Sequence, residues 1–354
     1  MKNSISINTR LTERSLYKWL FFCLLFFLAL IISGGNTYNP DYAEYERRYI
    51  NLIQSSHTGL FLFVFEFVFN KLGCSYQFFR FIECFLSLLL LSKTVTRYST
   101  NPIFVFSLYL IYPFLLDSVQ LGNFISYSIV LYSLKYLEEP FTKGGIKYIF
   151  GVLIASQFHI LSIVYIIFLL VYVKSIRKIY IFSFFTNILL TISINFLPRL
   201  VSYIPLLRSR SDQIKYYLSF DQSYKNGAIA YSFLLFVCLL VLLTKVYIIK
   251  CNISFSQDNT FNKALKIAGL TFCFIPFILI NSEFVRLIRN TWVIYYLALS
   301  CDMRDYSDNL YKLDKLYKAF SIFLAVFLFY KELSPYAYYF DTVTKPVLLN
   351  NILW

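Results

Sequence analysis

The sequence predicts an all-α, polytopic integral membrane helix bundle, and three observations carry that prediction. Of 354 residues, 58% are hydrophobic and 15% are charged, well under the roughly 25% charged residues usual in soluble domains. Apolar runs of about 17–22 residues recur along most of the chain, and each is long enough to cross about 30 Å of hydrocarbon. No polar stretch exceeds the size of a loop, so residues 1–354 are expected to form a single transmembrane domain without a separate soluble one.

The segments follow in order. Lys2, Arg10, Arg14 and Lys18 accompany the first apolar run, and no small-residue cleavage site precedes Asn36, so 17–33 is expected as an uncleaved first span. Further segments are 76–96, 101–117, 120–137, 145–157, 159–173, 179–197, 227–249, 264–281, 284–301 and 318–334. The stretch "TGLFLFVFEFVFNKL" at 58–72 differs from these. As a helix it would reach only about 22 Å, and Glu66 stands near its middle. It is expected to be a re-entrant or interfacial piece beside a polar cavity, where non-spanning backbone is tolerated. Segments 145–157 and 159–173 meet at "QFH" and allow either one long helix or two crossings with a turn at His159.

Charge chooses among topologies. With the N-terminus inside and 58–72 returning to the outside, every inside loop is basic, including Lys93, Arg97, Lys135, Lys143, Lys147, Lys174, Arg177 and Lys178. If 58–72 crossed, the following basic loops would flip outside, against the positive-inside tendency. The expectation is about eleven crossings with a cytoplasmic N-terminus and an outside C-terminus. Residues 34–57 and 198–226 are then extracytoplasmic loops, and 335–354 is a C-terminal tail.

The formal net charge of +14 would suggest nucleic acid in a soluble protein. Here lysines holding cytoplasmic loops at an anionic lipid surface account for it, so membrane lipid and not nucleic acid is the expected contact. The basic residues left outside are mostly arginines (47, 48, 80, 199, 208, 210, 286 and 289). Arginine suits bidentate recognition of carboxylate or phosphate; ordinary loop salt bridges with Asp212, Asp221 and Glu283 are the plain alternative. The seven cysteines show no CxxC or Cys/His spacing, which indicates neither a zinc site nor a disulfide framework. No metal or cofactor is expected.

The same topology gathers polar features on the outer face: "DYAEYERRY" (41–49), "DSVQLGN" (117–123), "QFH" (157–159), the loop 198–226 and "NSEFVRLIRN" (281–290). Polar groups at membrane depth are costly and mark functional sites. Asp41 and His159 are the candidate catalytic groups, the first a carboxylate flanked by tyrosines, the second suited to acid–base work near neutral pH. A histidine capping a broken helix is the structural alternative for His159. Tyr42 and Tyr45 can face sugar rings, and Gln120 and Asn123 lie one helical step apart at a helix start. Arg286 and Arg289, three apart, share a helix face and can clamp a diphosphate or snorkel to lipid phosphate. Arg208 and Arg210 alternate with tyrosines in the longest outside loop.

Four pieces in order resemble the EpsG-like family of bacterial envelope polysaccharide proteins, which sits with the Wzy-type polymerases. "PDYAEYERRY" is similar to its Asp-Tyr-x-x-Tyr element, and "DSVQLGNFISYSIVLYSLKYL" to its Gln-x-Arg-Asn/Gln element. "IASQFHILSIVYIIFLLV" resembles its Phe-His-x-Ser element, with Phe158, His159 and Ser162 in place, and "EFVRLIRNTWVIYYLAL" its late arginine, at Arg289. The resemblance covers about residues 17–301. One departure stands out: the arginine usual in the second element is Gly122 here.

The resemblance implies a GT-C-like glycosyltransferase, without nucleotide sugar or metal, that joins undecaprenyl-diphosphate-linked oligosaccharide repeat units on the outer face of the bacterial cytoplasmic membrane. It also implies a flippase and a chain-length regulator as partners. Capsule, exopolysaccharide and O-antigen all stand open as products. Two other readings compete: a flippase for lipid-linked oligosaccharide, though no internal repeat is found, and a glycosyltransferase using a polyprenyl-phosphate sugar. A non-catalytic scaffold would leave the clustering on one face unexplained.

Overall fold

The computed structural model describes residues 2–52, 59–193, 225–252, 259–280, 284–300 and 308–353. Among these residues the secondary structure is helical apart from one isolated antiparallel bridge between Asn36 and Asn351. Helix α1 (Lys2–Gly34) carries an apolar stretch, Leu16–Gly34, long enough to cross a membrane, and the helix Ile176–Ser193 is long and apolar enough as well.

Residues 34–57, expected as a loop, contain helix α2 (Tyr42–Asn51). The reason lies in its spacing: Tyr42, Tyr45 and Tyr49 recur at i, i+3 and i+7 and form one aromatic stripe that packs inward. Tyr49 is buried, while Glu44 and Arg47 pair at 2.6 Å on the exposed side. Helix α3 (Leu60–Lys71) follows with 12 residues, about 18 Å, well short of the hydrocarbon thickness. It lies against α2 and against α4 (Tyr76–Tyr98). Helix α4 is opened by Ser75, whose hydroxyl accepts from the Phe78 N–H at 3.2 Å.

One run expected as a single helix is broken here, and the choice left open at 145–173 is decided. The 101–117 run divides into α5 (Pro102–Ile111) and α6 (Phe114–Val119), because Pro113 has no N–H to continue the ladder. The next helix, α7 (Leu121–Ser133), starts beyond Gln120 and runs into a 3-10 turn (Leu134–Glu138). The 145–173 region is a hairpin, α8 (Ile146–Ser156) and a 3-10 helix (Ile160–Tyr172), with Gln157–His159 at its corner. The Tyr148 hydroxyl donates to the Tyr165 carbonyl at 2.9 Å across the two arms, so the single long helix is not formed.

The remaining described elements are α9 (Ile176–Ser193), α10 (Lys225–Asn252), α11 (Asn259–Leu270), a 3-10 turn (Thr271–Phe274) and α12 (Ile275–Ile280). The 284–301 run then divides into α13 (Val285–Arg289) and α14 (Trp292–Ser300). At that break the Thr291 hydroxyl donates to the Ile288 carbonyl at 2.7 Å, competing with continuation of the helix. The chain ends with α15 (Asp308–Leu333), a π turn (Phe340–Thr344) and α16 (Lys345–Leu349).

Among the described residues a large hydrophobic core encloses Trp292, Tyr295, Tyr296, Phe106 and Tyr109, and a smaller cluster of Tyr49, Leu62, Tyr76 and Phe79 joins α2, α3 and α4. Hydroxyls inside apolar helices donate to carbonyls one turn back, as Ser33 does to Ala29 (2.8 Å) and Ser87 to Glu83 (2.8 Å). Large apolar side chains also face outward in number, among them Phe21, Leu24 and Phe27 on α1 and Phe184, Leu189 and Ile192 on α9. A soluble monomer does not present so extensive an apolar exterior.

Candidate active site

The site gathers where the broken helices end. Asp41 stands immediately before α2, its backbone N–H donating to Asn39 Oδ1 at 3.1 Å. Burial pushes its carboxyl above the ordinary carboxylate range; Arg286, the Tyr45 hydroxyl and Arg80 pull it part of the way back. Asp41 and Arg286 therefore stand within electrostatic reach of each other.

Tyr45 links this pair to a second one. The Arg48 guanidinium lies over the Tyr45 ring, 4.9 Å from its centre, and pairs with Glu66 on α3, with Nε 3.0 and 3.2 Å from the two carboxylate oxygens. Side-chain exposure is 11% for Arg48 and 2% for Glu66, so this is a buried ion pair. Glu83, also buried, stands within electrostatic reach of Glu66, Arg48 and Arg80. The Tyr42 hydroxyl donates to Gln77 Oε1 at 2.9 Å, and Arg80 lies over the Tyr42 ring at 5.7 Å.

Arg80 is the central fastening of this corner. Fully buried on α4, it donates to the carbonyls of Ser33 (3.1 Å) and Ser118 (2.7 Å), joining the end of α1 to α6. One helix further, Arg289 is 4% exposed. It donates to Gln120 Oε1, and its Nε lies 3.8 Å from Asp117 Oδ1. The other Asp117 oxygen accepts from the Tyr109 hydroxyl at 3.2 Å. Asn123 and Asn290 exchange a reciprocal pair of amide hydrogen bonds, both 3.1 Å, and Asn290 also donates to the Tyr165 hydroxyl at 3.1 Å.

His159 occupies a different corner, made by the α8 hairpin and the start of α3. It is half-buried in extended backbone, and its N–H donates to the Ala155 carbonyl at 3.1 Å. Ser162, from the same motif, is hydrogen-bonded to Ser126 on α7, and Ser126 donates to the Ala155 carbonyl at 2.7 Å. This corner borders the second motif: a Cβ on Gly122 would lie 3.6 Å from the Phe158 carbonyl and 3.5 Å from Leu62.

Of the residues singled out from sequence, Asp41 and Tyr45 stand within electrostatic reach of Arg286, and Gln120 and Arg289 are in contact. Tyr42 flanks the first group, Asn123 is engaged with Asn290, and His159 adjoins Gly122. Arg208 and Arg210 lie outside the described residues. Sequence reading named Arg80 only among the outside arginines and left Asp117 and Asn290 inside the polar stretches 117–123 and 281–290 without a role; Glu83 it passed over. Arg80 and Glu83 had a legible signal: two charges three apart in the apolar "YQFFRFIECF" must share one helix face.

A family model described as the EpsG family matches residues 18–339, nearly the whole chain. The chain belongs to the EpsG family. Members of the EpsG family are Wzy-like polymerases. No curated protein and no solved structure matches the chain. Family membership and the apolar exterior together make this EpsG-family chain a membrane protein of polysaccharide biosynthesis, with a polymerase-like, glycosyltransferase-like function. A lipid-linked oligosaccharide is the substrate class that goes with such a polymerase.

Proposed function

We propose that this EpsG-family protein joins undecaprenyl-diphosphate-linked oligosaccharide repeat units on the outer face of the bacterial cytoplasmic membrane, which its bundle, GT-C-like in outline, crosses about eleven times. One observation supports the reading above others: a carboxylate, Asp41, stands within electrostatic reach of a guanidinium, Arg286, and of Tyr45 where the helices of the bundle break, and the Arg289–Gln120 pair follows three residues along α13.

The chemistry divides between these groups. The acceptor hydroxyl of the incoming unit gives its proton to Asp41 as its oxygen bonds to the anomeric carbon of the donor chain. The bond from that carbon to the diphosphate breaks, and the electron pair leaves on phosphate. Arg286 neutralises the departing charge, the role of a preorganised cationic clamp. Arg289 and Gln120, tied to Asp117, hold α13 so that Arg286 points at the site. Tyr42 and Tyr45 give aromatic faces to the sugars. His159 is the second candidate base, at its own corner. A flippase and a chain-length regulator are the proposed partners.

The test is a gel of surface polysaccharide from a deletion strain, with and without the gene restored. The expected result is collapse from a ladder to a single repeat unit outside the membrane, reversed by complementation. Units trapped on the cytoplasmic side would replace this reading with a flippase. An unchanged ladder lacking one side-branch sugar would replace it with a polyprenyl-phosphate-sugar glycosyltransferase.

A further inference from the structure

The family match ends at residue 339, yet the chain beyond it is bound into the site. After α15 the backbone turns: the Tyr339 N–H donates to the Glu332 carbonyl at 3.2 Å, and the Thr344 hydroxyl donates to the Leu333 carbonyl at 2.8 Å. The π turn and α16 then pack on α6, the helix that carries Asp117, and α16 also reaches the end of α1. Val343 and Val347 are buried there.

The segment is fastened to the end of α1 and to the link between α1 and α2 by polar contacts. The Thr37 N–H donates to the Asn350 carbonyl at 3.0 Å, the Ile352 N–H to the Gly35 carbonyl at 2.8 Å, and the Asn351 amide to the Ile31 carbonyl at 2.8 Å. Asn36, fully buried, is the hub. Its amide NH2 donates to the carbonyls of Pro346 (3.1 Å) and Asn350 (2.8 Å). Its amide oxygen accepts from Asn39 Nδ2 at 2.7 Å, and Asn39 Oδ1 accepts from the Asp41 N–H at 3.1 Å. A continuous set of hydrogen bonds thus runs from the C-terminal segment to the backbone of Asp41. A buried amide that spends both its donor and acceptor capacity in this way tolerates no looser arrangement.

The same turn brings Tyr339 within electrostatic reach of the cations. Its side chain is half-buried against the core and stands within electrostatic reach of Arg289, Glu332 and Arg286. Its ring meets Tyr338 edge-on at 5.1 Å. A phenol within electrostatic reach of two guanidiniums has a hydroxyl that can donate to a phosphate oxygen bound among them.

We propose that residues 335–353 form a wall of the substrate site, in which the Tyr339 hydroxyl binds the lipid-linked diphosphate together with Arg286 and the Asn36–Asn39 relay holds Asp41 in position. The proposal rests on the polymerase reading above. It makes Tyr339 a substrate-binding residue and Asn36 a positioning residue, the second held by carbonyls of the segment beyond residue 339.

The experiment uses the full chain in lipid nanodiscs, with lipid-linked repeat units extracted from the source strain as substrate and undecaprenyl diphosphate as the binding probe. For Tyr339→Phe, KM is expected to rise about tenfold with kcat within about twofold, and affinity for undecaprenyl diphosphate to fall by a similar factor. For Asn36→Ala, kcat is expected to fall about tenfold or more with KM and probe affinity unchanged. A purely structural role would lower the folded fraction of both variants without separating KM from kcat, and that result overturns the proposal. So does a Tyr339→Phe protein with unaltered KM and probe affinity while the wild type polymerises. Wild-type protein that makes no polymer from these units removes the polymerase reading itself, and the wall with it.

Discussion

Arg289 Nε and Asp117 Oδ1 are 3.8 Å apart, and both side chains are about 95% enclosed, with 5% and 6% exposure. The pair joins α13 to α6 at the point where two helices have been interrupted, so a charge interaction inside the bundle fixes the position of Arg286 three residues earlier. Breaking a buried pair by removing one partner leaves an uncompensated charge and costs about 3–5 kcal/mol. Arg289→Gln and Asp117→Asn are each expected to lower the melting temperature of the detergent-purified protein and to abolish polymer. The double variant D117N/R289Q should regain a large part of the lost stability without regaining polymer. Thermal unfolding monitored by size-exclusion chromatography, beside a polysaccharide gel, checks both halves. Additive losses in the double variant would show that the two groups do not interact.

The Asp41 carboxyl gives a pH signature whose sign can be worked out. Burial raises its pKa above the ordinary 3.8, and Arg286 is the largest influence opposing that rise. A general base works deprotonated, so kcat/KM should fall as pH drops through this raised pKa. Removing the Arg286 charge takes away a lowering influence, so the pKa rises further. In Arg286→Gln the acid limb of the kcat/KM profile is therefore expected to move to higher pH, on top of a drop in rate from the lost phosphate clamp. Asp41→Asn should abolish turnover at every pH while leaving the melting temperature close to wild type. A limb that stays in place in R286Q would separate Asp41 from the titrating group.

Much of this arrangement could be read from residue order, and the part that could not has identifiable causes. Long apolar runs announce themselves by length alone, and the helices appear at those places. The tyrosine stripe at 42, 45 and 49 carried helical spacing as well, but a polar segment after a span reads first as a loop, so α2 was missed. The breaks at Pro113 and Asn290–Thr291 sit inside apolar runs whose hydropathy does not change; only the missing N–H of proline and the Thr291 hydroxyl bonded to the Ile288 carbonyl mark them. Arg80 and Glu83 were visible as charges in an apolar run, but their partners, the carbonyls of Ser33 and Ser118 for the arginine, are backbone groups that no side-chain pattern encodes. The approach of Arg286 to Asp41, and the return of the C-terminal segment to Asn36, span most of the chain and follow only from the packed bundle.

The Arg48–Glu66 pair is expected to behave as a clasp between α2 and α3. Both groups are buried and each is the other's charge partner. Glu66→Ala should cost about 3–5 kcal/mol by stranding the guanidinium, and it should lower activity because Arg48 also lies on the Tyr45 ring. A pair of apolar replacements of similar size, Arg48→Met with Glu66→Leu, avoids the stranded charge and should be more stable than either single change. Chemical denaturation of the four proteins in one detergent is the measurement. A double variant no better than the worse single would mean that the pair is exposed to water in the membrane-embedded protein.

Two glycines facing the α8 corner should respond in opposite ways to alanine. At Gly122 a Cβ meets Leu62 at 3.5 Å and the Phe158 carbonyl at 3.6 Å, ordinary van der Waals distances, and the residue lies in α7. Alanine there keeps the packing and improves helix propensity, so Gly122→Ala should leave stability unchanged or raise it by up to about 1 kcal/mol. At Gly59 a Cβ would run into the backbone of Gln157, which is where the start of α3 docks through the Leu62 N–H to the Gln157 carbonyl at 3.5 Å. Backbone cannot step aside as a side-chain tip can, so Gly59→Ala must push α3 away from the α8 hairpin. It should lower the melting temperature by several degrees and, by moving α3, disturb Glu66 and the Arg48 that it holds. Melting curves of G59A and G122A side by side decide the matter: equal behaviour of the two variants would mean that α3 does not rest on Gln157.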